Sequence, residues 1–179
     1  MKLDDSDTLV IDTCAFLMGY NPLVVNAQQF TTSSVLEEVR LNTVQHNRLK
    51  LAVDIGKLKL YCPSMEVSKE VEEVSRKSGD LALLSQTDLE ILAVTLELVR
   101  KGLSPKLVSD DYGIQNVATF LGIAYCSLAT FGIRYRFQWF WYCPACKKRF
   151  VNQVLQDTIC NVCGTQLKRR VLKKQLLES

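Results

Sequence analysis

The side chains best suited to chemistry in this 179-residue sequence are carboxylates that follow short apolar runs and cysteines that come in pairs. Asp12 ends the β-branched run Thr8 to Ile11, and Asp110 and Asp111 follow the apolar stretch Lys106 to Ser109. Asp88 stands three residues after Ser85 at a helix start, and Glu38 falls in the second turn of a helix that Ser33 or Ser34 can open, with Glu37 at capping-box distance from Ser34. Carboxylates gathered beyond the carboxyl ends of strands would repel one another and raise their pKa values unless cations neutralise them. A hard divalent ion, Mg²⁺ or Mn²⁺, held through carboxylates and waters answers that need, activates a water and steadies the leaving oxygen of a phosphodiester. Each residue also has a plain structural use: Asp88 as a helix cap, Glu38 on a solvated face, and the Asp110-Asp111 pair as a turn starter.

The cysteines are more specific. Cys143-Pro-Ala-Cys146 and Cys160-Asn-Val-Cys163 are separated by 13 residues, the spacing of a ribbon in which four thiolates close around one Zn²⁺. Such an ion is structural, because four sulfurs leave no position for a water, and it supplies folding energy to a module too small to fold alone. Gly164 gives the second knuckle a permissive backbone. Lys147, Lys148 and Arg149 surround one pair and Lys168, Arg169 and Arg170 follow the other, with Tyr142 and Phe150 among them and Lys173 and Lys174 beyond. Cations interleaved with rings suit phosphate contact and base stacking on single-stranded RNA. Phe137, Trp139, Phe140 and Trp141 are too apolar for a free linker, and pack the ribbon against the first domain or stack on bases.

The elements that must position these residues alternate. Strands are predicted at Thr8 to Ile11, Gln29 to Thr32, Leu58 to Cys62, Lys106 to Ser109 and Ala124 to Leu128. Between them, helical spacing recurs around Leu49 and Val53, over Ser64 to Lys77, from Gln86 to Lys101 and over Gly113 to Leu121. The Gln86 helix carries the clearest punctuation, with Ser85 as N-cap, Asp88 as its N3 carboxylate, and Gly102 and Pro105 after it. Alternation of this kind predicts an α/β domain, a parallel sheet flanked by helices, over residues 1–133. An aromatic linker over 134–141, the zinc ribbon over 142–170 and a basic tail over 171–179 complete the expected organisation.

Composition narrows the function. With 47% hydrophobic and 23% charged residues, disordered and low-complexity classes fail. The net charge of +3 hides a division: Arg134 to Ser179 holds 10 Lys/Arg and 2 Asp/Glu, net +8, leaving −5 for residues 1–133. The acidic opening MKLDDSDTLV predicts no secretory leader, and seven cysteines without one predict a reducing, cytoplasmic setting in which paired cysteines hold metal. The charge-free run Tyr112 to Ile133 carries too many polar residues for lipid, so no membrane span is expected. A single histidine, His46, removes Ser-His-Asp and histidine general-base chemistry. Cys14, beside Asp12, reads as a packing residue, since a neighbouring carboxylate suppresses its thiolate. No glycine-rich phosphate loop is present.

Val10-Ile11-Asp12, Val35-Leu36-Glu37-Glu38-Val39, Ser85-Gln86-Thr87-Asp88 and Val108-Ser109-Asp110-Asp111 together resemble a PIN-domain nuclease. Joined to a C-terminal four-cysteine ribbon, the pattern resembles the Nob-one type endoribonucleases that trim the 3′ end of small-subunit ribosomal RNA, at the length of the compact archaeal members. Ser78-Gly79-Asp80 and Asp110-Asp111-Tyr112-x-Ile114-Gln115-Asn116-Val117 carry the most particular likeness. The resemblance implies a divalent metal on Asp12, Glu38, Asp88 and Asp111, with Glu37 and Asp110 as rivals to their neighbours and Asp80 as an outer contributor. It implies zinc on Cys143, Cys146, Cys160 and Cys163. Its implied partners are precursor small-subunit rRNA, the pre-ribosomal small subunit and other assembly factors. A non-catalytic RNA- or ribosome-binding assembly factor that kept the fold is the competing function, and a toxin-like PIN ribonuclease acting on tRNA or mRNA a third.

Overall fold

The computed structural model describes residues 7–40, 43–128, 135–151 and 158–177. The first domain is built from β1 (Thr8–Ile11), α1 (Thr13–Leu17), β2 (Gln28–Thr31), α2 (Ser33–Val39), α3 (Thr43–Asp54), β3 (Leu58–Leu60), α4 (Met65–Ser78), α5 (Gln86–Arg100), β4 (Pro105–Val108), α6 (Tyr112–Leu121) and β5 (Ala124–Cys126). Its five strands lie in the order β3-β2-β1-β4-β5 and every neighbouring pair is parallel. Leu9, Val10 and Ile11 are fully buried, as a central parallel strand covered on both faces requires. Helix α5 is buried along Ile91, Leu92, Ala93, Val94 and Leu98, so it is a core helix. The parallel sheet flanked by helices agrees with the expected fold class.

The chain order reverses between β1 and β4. From β1 the strands run outward through β2 to β3, and from β4 they run the other way to β5. That reversal opens a crevice beyond the carboxyl ends of β1 and β4, where Asp12 and Ser109-Asp110-Asp111 leave the sheet. Among the described residues no helix is long and apolar enough to cross a membrane. The charge-free run divides at Gly122, whose φ of 70° ends α6 before β5 begins.

The region after the first domain departs from the expected boundaries. The residues read as an aromatic linker form β6 (Tyr135–Tyr142), and those read as a basic tail belong to β8 (Lys168–Leu176). With β7 (Arg149–Phe150) they make an antiparallel sheet in the order β7-β6-β8, and the β6–β8 ladder runs from Tyr135↔Leu176 to Tyr142↔Lys168 with a bulge between Gln138 and Trp139. Linker and tail are therefore the two long strands of the zinc module. The expected junction at 133/134 lies outside the described residues, as does the end of the tail at 178–179.

Candidate active site

Asp12 is 2% exposed and serves as N-cap of α1. Its Oδ1 accepts from the Thr13 amide at 2.6 Å, and its Oδ2 accepts from the Ser109 hydroxyl at 2.8 Å and the Cys14 thiol at 3.0 Å. Burial pushes its carboxyl above the usual range, outweighing the bonds from Cys14, Ser109 and Thr13, and the Asp111 carboxylate adds to the rise. Asp88 completes a capping box on α5: its Oδ2 accepts from the Ser85 amide at 2.7 Å while Ser85 Oγ accepts from the Asp88 amide. Burial raises its carboxyl too, with further contributions from Asp12 and Asp111. Asp111 caps α6, its Oδ1 accepting from the Gly113 and Ile114 amides. Three carboxylates from three helix starts thus feel one another's charge, and each is held by backbone amides that fix its direction.

Glu38 joins from α2 through Thr13, whose hydroxyl donates to Glu38 Oε2 at 2.6 Å while its amide donates to Asp12. Glu37 instead pairs with Arg40 at 3.5 Å on an exposed surface. The neighbours Asp110 and Asp111 also separate. Asp110 Oδ2 accepts from the Leu128 amide at 2.9 Å, tying the crevice wall to the segment after β5, and it is Asp111 whose charge raises Asp12. Asp80 is 2% exposed and bonded to Ser78, Asn116 and Arg169, which sets it between the two domains.

Two site residues escaped the sequence reading. Ser109 donates to Asp12 and accepts from the Asp111 amide at 3.2 Å, bridging two of the carboxylates. Thr13 bridges Asp12 and Glu38. Both are next to a candidate carboxylate at a strand end, and that adjacency was the available signal. Cys14 behaves as expected: burial and the adjacent Asp12 push its thiol up to about 12, so it donates to Asp12 and is no nucleophile. Helix α2 is capped by Thr32, whose side chain accepts from the Val35 amide, and not by Ser33 or Ser34.

Oxygen ligands of fixed direction, with Asp12 and Asp88 raised by burial and by neighbouring carboxylates, fit a hard divalent cation. They interact across the crevice without the tight convergence seen in the ribbon. There the four cysteine sulfurs all lie within 4.8 Å of one another, with Cys143 and Cys163 at 3.4 Å and Cys146 and Cys160 at 3.6 Å. A tetrahedron of Zn–S bonds of about 2.3 Å has edges of about 3.7 Å, so the tetrad fits a zinc-sized ion. The two knuckles repeat each other. Lys147 and Gly164, each following the second cysteine of its pair, are left-handed and donate to the carbonyls of Cys143 and Cys160. Hydrogen bonds from Thr165 lower the Cys163 thiol to about 6, favouring the ligating thiolate.

Around the knuckles the exposed cations lie over rings: Lys147 and Arg170 over Tyr142, Lys148 over Phe150 and Arg149 over Phe140. Lys168 is exposed at the start of β8. Arg169 is the exception in the expected RNA-binding set. It turns inward, lies over Trp139 and pairs with Asp80 at 2.7 Å, so its charge is consumed within the protein.

A family profile described as the PIN domain of ribonuclease matches residues 9–98. Endoribonuclease Nob1 of Methanocaldococcus jannaschii is 40% identical over 167 residues, spanning 93% of this chain and 79% of that protein. Endoribonuclease Nob1 of Methanothermobacter thermautotrophicus is 33% identical over 162 residues, spanning 90% of this chain and 91% of that one. The 20S-pre-rRNA D-site endonuclease NOB1 of Saccharomyces cerevisiae is 38% identical over 93 residues, 47% of this chain and 20% of its own length. With the ribonuclease profile covering half of its residues and Nob1 proteins aligned along nearly all of them, the chain belongs to the Nob1 family of PIN-domain endoribonucleases.

Proposed function

We propose that the protein is a metal-dependent endoribonuclease that hydrolyses a phosphodiester of precursor small-subunit rRNA, with Mg²⁺ or Mn²⁺ held by Asp12, Glu38, Asp88 and Asp111 and a structural Zn²⁺ by Cys143, Cys146, Cys160 and Cys163. The observation that carries it is the crevice itself: three carboxylates on amide-anchored helix starts at the sheet's switch point, of which Asp12 and Asp88 are raised by burial and by neighbouring carboxylates. A bound divalent ion would supply a Lewis acid and a nucleophilic water there. The chain's own residues hold its ligands still. Ser109 and the Thr13 amide fix both oxygens of Asp12, the Ser85 amide fixes one of Asp88, and the Gly113 and Ile114 amides fix one of Asp111, so little reorganisation is left for the reaction. The second oxygens of Asp88 and of Asp111 would be the ones offered to an ion.

The substrate class follows from the family and from the charge division. The name of the yeast relative assigns that protein to 20S pre-rRNA, and the basic, ring-backed surface of this chain's zinc module suits an RNA strand. Work inside the cell, on the pre-ribosomal small subunit in the cytoplasm beside other assembly factors, belongs to the same proposal. The test is cleavage of a synthetic RNA spanning a precursor 3′ junction, with and without Mn²⁺. A single metal-dependent cut in that RNA and none in a scrambled one supports it. Tight binding without any cut would leave an RNA-binding assembly factor in its place.

A further inference from the structure

The nuclease domain and the zinc module meet through a set of buried contacts that neither metal centre uses. Below β7 the outer edge of β6 has no strand partner among the described residues. Asn116, on α6 and 3% exposed, takes that place: its Nδ2 donates to the Phe137 carbonyl at 2.7 Å and its Oδ1 accepts from the Phe137 amide at 2.7 Å. One side chain thus satisfies the donor and the acceptor that a pairing strand would satisfy. The same Nδ2 reaches Asp80 Oδ2 at 2.6 Å. Asp80 Oδ1 receives the Arg169 guanidinium from β8 at 2.7 Å, and that guanidinium also donates to the Gly79 carbonyl at 3.0 Å.

Gly79 closes the joint. It ends α4 with φ of 82°, and a Cβ there would stand 2.5 Å from the Trp139 carbonyl oxygen and 2.9 Å from Trp139 Cβ, so only glycine lets the strand lie against this turn. Gln138 adds a bond to the Lys77 carbonyl at 3.0 Å. Ion pair, amide clamp and glycine seat all act between the turn after α4, the face of α6 and the β6–β8 hairpin. Asp111 is the N-cap of α6, and α5, whose first turn carries Asp88, packs on both α4 and α6. One crevice carboxylate therefore opens a helix that holds the hairpin, and another sits on the helix packed against both of the elements that do.

We infer that Asp80, Asn116 and Arg169 form an interdomain latch that holds the zinc module at one orientation to the carboxylate crevice, making them positioning residues for RNA that engages both. The inference rests on the proposed nuclease function for its consequence, and on the contacts alone for its existence. A latched pair presents a strand bound on the ribbon to the crevice at a fixed span, which converts two weak contacts into one tight, registered one. Arg169 is a part of the joint and not of the RNA surface.

The test compares the zinc-loaded full chain with Asp80→Asn, Asn116→Ala and Arg169→Lys. The last keeps the ribbon's charge while losing the planar guanidinium that lies over Trp139 and whose Nη2 reaches Gly79 and Asp80. The chain has two tryptophans, both on β6, and Trp139 lies in the joint, so tryptophan emission and its quenching by acrylamide report docking. Each variant that retains one zinc per chain should show red-shifted, more quenchable emission. Its kcat/KM should fall about tenfold on an RNA long enough to touch ribbon and crevice, and stay within about twofold on an RNA of a few nucleotides that reaches the crevice alone. Unchanged emission and quenching in all three variants would overturn the latch. Equal losses on the long and the short RNA would reduce it to a general folding contribution and overturn the positioning role. If the parent protein cuts neither RNA, the nuclease function fails and the positioning role falls with it, a result distinct from a parent that cuts both and variants that match it.

Discussion

Replacing Asp12 by Asn should separate the function of the crevice from the stability of the fold, and the structure sets the size of the effect. The amide can still accept from Thr13 N–H through its oxygen and can donate to Ser109 Oγ through its nitrogen, so the bonds at 2.6 and 2.8 Å change character without losing geometry. Hydrogen bonds to a charged acceptor are worth about 1.5–3 kcal/mol and neutral ones about 0.5–1.5, so two weakened bonds cost roughly 1–3 kcal/mol. Against that stands the removal of a 2% exposed charge beside two other carboxylates, a penalty of several kcal/mol before any cation binds. Without divalent metal the variant should be at least as stable as the parent within about 1 kcal/mol, or 2–4 °C in Tm for a chain of this size. The sign with pH follows from the raised carboxyl. The folded parent holds its Asp12 proton more tightly than the unfolded chain, with its ordinary value of 3.8, so the parent loses stability as pH rises through the raised value and the advantage of Asn grows toward neutrality. Mn²⁺ at about 100 times its Kd should stabilise the parent by roughly 2.7 kcal/mol, and the variant far less. Differential scanning calorimetry at pH 5 and pH 7.5, with and without Mn²⁺, reads all of this. A variant that loses more than about 2 kcal/mol at pH 7.5 and still responds to Mn²⁺ like the parent would refute the reasoning.

Other expectations follow from the same geometry. Asp111→Asn keeps an N-cap on α6 and should stop cleavage with a stability change under about 1 kcal/mol, whereas Asp110→Asn weakens the tie to Leu128 and should retain cleavage; parallel rate and melting measurements decide between them. Cys143→Ser and Cys160→Ser should each lose the one zinc per chain, and metal analysis showing undiminished zinc would mean that the tetrad is not its site. Neutralising Lys147, Lys148, Arg149 and Arg170 should weaken RNA binding and flatten its salt dependence by roughly 0.7 in log-log slope for each phosphate that is no longer neutralised, a change that a salt titration of affinity measures.

What could be read from residues and what could not divide along the distance of the interactions. β1 and β4 announce themselves because a buried parallel strand needs a continuous apolar run, and the carboxylates after them mark the crevice. The capping box of Ser85 and Asp88 is a local code and forms as expected. The cap of α2 was ambiguous because Thr32, Ser33 and Ser34 are all competent, and the structure selects Thr32. The hairpin was hidden: Phe137 pairs with Lys174, far along the chain, and although Tyr135 to Trp139 alternates apolar and polar residues, its partner strand Lys168–Leu176 does not. Arg169 looked like its basic neighbours because its partner, Asp80, stands 89 residues away. The choice of Glu38 over Glu37 also needed the fold, since only the packing of α1 on α2 brings Thr13 to one of them.

The central claim is that carboxylate-held metal acts on a phosphodiester at the crevice, and a sulfur substituted for one non-bridging oxygen of the scissile phosphate tests it most directly. Mg²⁺ binds sulfur poorly and Mn²⁺ tolerates it better, because the harder ion prefers oxygen. One diastereomer of the substituted RNA should be cut slowly by the parent protein in Mg²⁺ and restored by Mn²⁺, with Asp12→Asn inactive in both. Equal cutting of the substituted and the natural RNA in Mg²⁺ would contradict it, as would full activity of Asp12→Asn.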